Sequence, residues 1–275
     1  MDASTRDRRR ALLLAVPALA VFAAFWLLPM ARLAVVGASG KDGLAAYFAI
    51  VTNANYFKSL VSTVSLSAGV TVATVAISLV AGLFLQRNRF AGRRVLVSLM
   101  TLPLAFPGVV VGFMVILLAG RQGLIGDITS KLFDEKLVFA YGMGGLFLGY
   151  LYFSIPRVIL TIMASVEKLD PALEEAARSL GASTWQVTRD VILPALMPAI
   201  ISSGAICFAT AMGAFGTAFT LATQINVLPL TIYNEFTNYA NFAMAASLSL
   251  VLGLITWAAL AMARSLAGAG VAAAG

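Results

Sequence analysis

Six stretches of this chain each run for about 20 residues or more with very few charges, the length a helix needs to cross a bilayer core of roughly 30 Å. They cover Ala11–Val36, Ser59–Leu85, Val95–Ala119, Val138–Ser165, Leu196–Thr223 and Asn241–Ala263. Their apolar residues are continuous rather than every second one, which excludes a membrane β-barrel. The sequence therefore predicts an all-α, polytopic transmembrane helical bundle of six spans. Composition agrees: 60% of the 275 residues are apolar and 11% charged, too little charge to cover a water-facing surface.

Histidine is absent and Cys207 is the single cysteine. Ser-His-Asp and Cys-His catalysis, histidine zinc sites and cysteine-rich metal centres are thereby excluded, so no catalytic residue and no metal ligand is assigned. Cys207, in the fifth span, reads as a small packing residue.

Charge sets the expected orientation. Arg6, Arg8, Arg9 and Arg10 precede the first span, Arg87, Arg89, Arg93 and Arg94 follow the second, Lys168, Arg178 and Arg189 follow the fourth, and Arg264 follows the sixth. Alternating spans put all of these on one side. The opposite loops dilute Lys41, Lys58, Arg121, Lys131 and Lys136 with Asp42, Asp127, Asp134, Glu135 and Glu235. The arginine-rich side is then cytoplasmic, with both termini inside. This accounts for the net charge of +7 without nucleic acid. The basic start resembles a signal peptide, but the apolar run is long and Pro29-Met30-Ala31-Arg32 is a poor cleavage site, so the first helix is expected to remain.

Residues 166–194, between the fourth and fifth spans, form the longest charge-rich segment. Asp170 suits an N-cap and Pro171 the first helical position. Gly181 suits the left-handed residue after a helix, and Ser183-Thr184-Trp185-Gln186 fits a capping box. Two short helices joined by a glycine turn are predicted, the second ending near Leu193 before Pro194 and Pro198. The first helix offers small Ala172, Ala176 and Ala177 beside apolar Leu173 and Leu180. Docking to a partner and folding back on the bundle are both open from these residues alone.

Glu175-Ala176-Ala177, three residues, Gly181, nine residues and Val191-Ile192-Leu193-Pro194 resemble the EAA signature of bacterial ABC importer permeases. The one departure is Val191, where isoleucine is usual. The resemblance covers about Ser59 to Ala263. It implies a type I ABC importer transmembrane-domain fold over residues 59–265, with 1–58 holding the basic segment, first helix and outer loop, and 266–275 a short cytoplasmic tail. It implies a non-catalytic permease subunit in a bacterial inner membrane. A cytoplasmic coupling helix would seat Glu175, Ala176, Ala177 and Gly181 on a dimer of ABC ATPase subunits, while Leu193 and Pro194 fix the entry to the fifth span. ATP and magnesium would be held by that ATPase; this chain has no G-x-x-x-x-G-K-[ST] loop and is assigned no cofactor. The other implied partners are a second permease, usually a different chain in the polyamine branch, a periplasmic solute-binding protein and membrane lipid.

Within the spans, small residues at four-residue spacing mark helix contacts: Gly108 and Gly112, Gly145 and Gly149, Ala205, Ala209 and Gly213. Ser59, Thr63, Ser67, Thr71, Thr74 and Ser78 form a hydroxyl stripe on the second span, open to reading as helix packing or as solute path. Pro103, Pro107 and Pro156 remove backbone hydrogen bonds at depth. Arg157 is the one cation placed near mid-span, either structural or facing an anionic solute. Ala214, before Phe215-Gly216-Thr217, stands where many relatives of this kind have an acidic residue. Asn226, Tyr233 and Glu235 fall towards the outer mouth, as solvated loop or as contacts for a binding protein or cation. The candidate path is thus Thr63, Ser67, Thr71, Arg157, Thr217, Asn226, Tyr233 and Glu235.

The resemblance is nearest to spermidine/putrescine and 2-aminoethylphosphonate permeases, and the expected solute is a polyamine, drawn by Glu235 and aromatic faces. The alternative is an anion or metal (2-aminoethylphosphonate, sulfate or iron(III)), with an anion drawn by Arg157 or helix amino termini. An ion-gradient-driven secondary transporter would need acids inside the spans, and the spans hold none.

Overall fold

The computed structural model describes residues 15–221 and 225–272. Arg6, Arg8, Arg9, Arg10, the expected start of the first span at Ala11, the end of the fifth at Thr223 and the last three residues of the tail lie outside these. Every regular element among the described residues is helical. In chain order they are α1 (Ala15–Ala38), α2 (Gly43–Thr52), α3 (Ala54–Arg87), α4 (Arg93–Thr101), α5 (Gly108–Ala119), α6 (Leu124–Phe133), α7 (Met143–Glu167), α8 (Pro171–Ser179), α9 (Thr184–Met212), α10 (Gly216–Leu221), α11 (Leu228–Thr237) and α12 (Phe242–Ala272).

Six stretches are long and apolar enough to cross a membrane: α1, α3, Gly108–Phe133, α7, α9 and Phe242–Gly268. The third differs from the expected Val95–Ala119. A 3-10 turn at Leu102–Ala105 follows α4, and Phe106 and Pro107 are extended, with ψ 130° and 149°. A residue before proline is pushed out of the helical region, and Pro107 has no N–H with which to continue the ladder. Alone, the 12 residues of α5 reach only about 18 Å. Pro156, by contrast, sits buried inside α7 without ending it.

The chain folds as two compact units. One combines the described part of Met1–Phe57 with Thr231–Leu254, and the other takes Lys58–Leu230 with the described part of Ile255–Gly275. In the smaller unit, Ser247 Oγ donates to Gly37 O at 3.1 Å, and a side chain at Gly37 would strike Ser247 and Tyr47.

The larger unit is built around Val70, Leu146, Tyr150, Val158, Ile162, Ile192, Leu196 and Leu221, all nearly inaccessible. Its helices meet through small residues, as the spacing predicts. Gly112 lies against Thr220, Gly149 against Thr217, and Gly108 against Thr217 and Gly216. Thr217 Oγ1 donates to Gly108 O at 2.9 Å, tying α10 to the start of α5. Cys207 is buried in the same core, in a packing role. Outside, Val72, Leu117 and Trp257 are about two-thirds exposed or more, a surface that lipid covers without penalty.

A Cβ at Gly112 would stand 2.6 Å from Thr220 Cβ, whereas one at Gly69 meets only Phe147 at 3.7 Å. Gly112→Val should therefore lower stability by about 1–3 kcal/mol. In detergent it should show a depressed thermal midpoint, with Gly69→Ala at or above the parent value.

Candidate functional site

In the larger unit, the segment 166–194 and a cavity between the start of α5 and the end of α9 both combine polar chemistry with exposure. In the first, Asp170 Oδ1 accepts from Ala172 N at 2.9 Å and Pro171 opens α8. The helix closes at Gly181, whose φ of +87° is left-handed and whose N–H reaches Arg178 O at 2.9 Å. Ser183 and Gln186 then form the predicted capping box, with Ser183 N donating to Gln186 Oε1 at 2.7 Å.

The second helix does not stop near Leu193. It widens into a π turn over Thr188–Ile192, where Leu193 N–H reaches back to Thr188 O, and continues as the fifth span. Pro194 has no N–H to offer the ladder, and the wider turn lets the helix pass it unbroken. Leu193 is half-buried and Pro194 exposed at this junction.

Helix α8 leaves part of its apolar side uncovered. Ala177 is half-buried against the core, while Leu173 is 56% exposed, Leu180 89% and Trp185 72%. Glu175 and Ala176 lie on the exposed side. Glu174 faces inward and is gripped twice: by Arg87 at the end of α3, and by Arg178 one turn on, with Nη2–Oε2 at 3.4 Å. The Arg87 contact links α8 to the end of α3, while the Arg178 contact lies within α8. This pair was not legible in the sequence, since 87 positions separate Arg87 from Glu174.

The cavity, of about 300 Å³, is bordered by Pro103, Phe106, Arg157, Thr210, Phe215 and Thr217. It opens where α5 begins after the Pro103–Pro107 break and where the chain leaves α9 through Gly213–Phe215. Tyr150 Oη donates to Ala214 O at 2.6 Å, pinning that linker. Arg157 is exposed towards the cavity and forms no ion pair among the described residues. Its guanidinium offers five N–H donors on a fixed plane, a geometry suited to oxygen anions.

The remaining candidates scatter. Thr63 and Ser67 are buried, and Ser67 Oγ has no hydrogen-bond partner among the described residues. Thr63 Oγ1 donates to Ser59 O at 2.7 Å and accepts from Leu228 N at 2.8 Å. Thr71, half-buried, bonds Ser67 O and faces Gly204. Asn226 is exposed before α11, and Tyr233 is half-buried. Glu235 is not in a solvated loop: at 7% exposure it accepts from Tyr56 Oη at 2.8 Å and Asn241 Nδ2 at 3.2 Å, inside the smaller unit. Of the eight, Arg157 and Thr217 border one cavity. Among the described residues no cluster of histidine, cysteine, aspartate and glutamate could hold a metal ion.

Residues 75–268 match the family described as binding-protein-dependent transport system inner membrane component. The chain belongs to this family. It is an ABC importer permease subunit, a transport component whose ATPase is a separate subunit. Among curated relatives, it is 34% identical over 197 residues to the molybdenum transport system permease protein ModB of Escherichia coli K12, covering 68% of this chain and 85% of that one. It is 31% identical over 230 residues to the E. coli K12 sulfate transport system permease protein CysT, covering 82% and 81%. The Synechocystis sulfate permease CysW is 29% identical over 242 residues, covering 86% of each. The fold matches a crystal structure of a bacterial ABC transporter that imports the acidic polysaccharide alginate, with TM-score 0.81 at 17% identity over 97% of this chain and 98% of that one. The expected polyamine branch finds no support among these relatives, whose names fall with the anion alternative.

Because Arg87 and Glu174 are only partly exposed, Arg87→Ala should loosen α8 without unfolding the bundle. Hydrogen exchange at the amides of residues 173–182 should rise up to about fivefold, the range of a partly exposed ion pair. Exchange in the core of α7 should stay as in the parent.

Proposed function

We propose that this permease forms half of an inner-membrane path for a small tetrahedral oxyanion of the sulfate or molybdate kind. The observation that carries the reading is Arg157, an unpaired guanidinium lining the cavity between the start of α5 and the end of α9. A cation at such depth is unfavourable unless water or an anion meets it. The names of the molybdenum and sulfate relatives support the same chemistry. For a polyamine or iron(III), the candidate Glu235 is 7% exposed and already bonded to Tyr56 and Asn241.

In this reading the arginine-rich end of α3 and the 166–194 segment face the cytoplasm, with both termini inside. The exposed side of α8 seats on an ATPase subunit that holds ATP and magnesium. Glu175, Ala176 and exposed Leu173 and Leu180 make the contact, and Gly181 sets the turn. Arg87, through Glu174, carries the displacement of α8 into α3, and the continuous helix through Thr188–Ile192 carries it into α9. A periplasmic binding protein delivers the solute at the far end, and a second permease chain completes the path. Thr217 contributes by holding the wall of the cavity at Gly108.

The complex reconstituted in vesicles should take up radiolabelled sulfate or molybdate only with ATP on the ATPase side, and should not take up spermidine. Arg157→Ala should cut oxyanion uptake about tenfold or more, with Arg157→Lys retaining part of it, while binding-protein-stimulated ATPase activity persists. Uptake driven by a proton gradient alone, or unaffected by Arg157→Ala, would overturn the reading. Separately, Glu175→Lys and Gly181→Val should abolish stimulated ATPase activity with the permease still in the membrane. Valine at Gly181 would have to hold φ +87°, at about 1–2 kcal/mol.

A further inference from the structure

The turn between α3 and α4 carries Arg87, Arg89, Arg93 and Arg94 within eight positions. Two of these are engaged by the protein. Arg87 pairs with Glu174, and Arg93 donates Nε to Leu85 O at 2.5 Å and Nη2 to Gln86 Oε1 at 2.9 Å. Arg89 and Arg94 are exposed and form no ion pair among the described residues. They border a cavity of about 530 Å³ whose other lining residues are Phe90, Gly92, Arg93 and Val95, with no carboxylate among them. Gly92, at φ +87°, turns the chain so that Arg89 and Arg94 flank one opening.

Apolar side chains surround this basic opening. Phe90 is 41% exposed, Val95 62%, Leu96 41% and Leu99 54%, on a helix that begins where the second span ends. At a membrane surface those side chains enter the edge of the hydrocarbon while the arginines stay at the depth of the headgroups. Two guanidiniums at that depth suit an oxygen anion, and the anion that a membrane supplies at headgroup depth is phosphate.

We propose that Arg89 and Arg94 form a binding site for the phosphate of an anionic membrane lipid. The apolar rim favours a phosphate attached to acyl chains over free phosphate. A lipid seated there would brace the turn next to Arg87, the residue that grips α8. The proposal requires only that α3 end at a membrane surface, and it stands whatever solute is carried.

The test uses the full-length permease in its transporter complex, placed in bilayers of phosphatidylcholine with a minor share of phosphatidylglycerol. After detergent extraction, the retained lipids are counted by mass spectrometry. The parent complex should be enriched in phosphatidylglycerol over the bilayer ratio. Each arginine removed should lower that enrichment about fivefold, and R89K/R94K should keep most of it. If R89A/R94A is not recovered from membranes, R89A and R94A singly carry the same expectation. Enrichment unchanged in the alanine variants overturns the site. Displacement of the lipid by millimolar inorganic phosphate, with phosphate bound in its place, overturns the lipid assignment in favour of a soluble anion.

Discussion

A peptide N–H or C=O in hydrocarbon has no water to bond, so each must find a partner within the protein. That single constraint makes every crossing of this chain a helix, and it makes each interruption informative. The chain enters one crossing just after Pro103 and Pro107, and leaves another at Gly213–Phe215. Near these points Thr217 donates to Gly108 O and Tyr150 donates to Ala214 O. Between them lies the space that Arg157 borders.

The protruding segment solves a different problem. In the reading proposed above, α8 must be held firmly and still keep a face free for the ATPase. Capping at Asp170 and Ser183 holds the ends, Gly181 sets the turn, and the Arg87–Glu174–Arg178 cluster holds the inner side. Leu173, Leu180 and Trp185 are left uncovered on the outside. The passage into the fifth span is a continuous helix with one widened turn. A rigid connection of this kind suits the movement of a whole span better than a flexible loop does.

Local rules reached far in this chain. Hydropathy over windows of about 20 residues gave six crossings, because lipid tests every residue of a span in the same way. Asp170, Pro171, Gly181 and the Ser183–Gln186 box were legible because capping involves residues only two to four positions apart. The four-residue glycine spacing located real contacts at Gly108, Gly112 and Gly149. The same logic missed the end of the second short helix, since a π turn at Thr188–Ile192 depends on how the flanking helices are tied down.

By itself the sequence determined the helical class, the number of crossings, the form of the 166–194 segment and, through Glu175 to Pro194, the family. Each of these rests on interactions within a few positions of the chain or on the uniform demand of lipid. The tertiary structure decided that Thr63 bonds Leu228, that Glu235 is buried with both oxygens bonded, that Arg157 borders a cavity with no ion pair among the described residues, and that Arg87 reaches Glu174. Those facts depend on which distant helices become neighbours. Neither periodicity nor capping encodes that, because it is fixed by the summed fit of many side chains across the bundle.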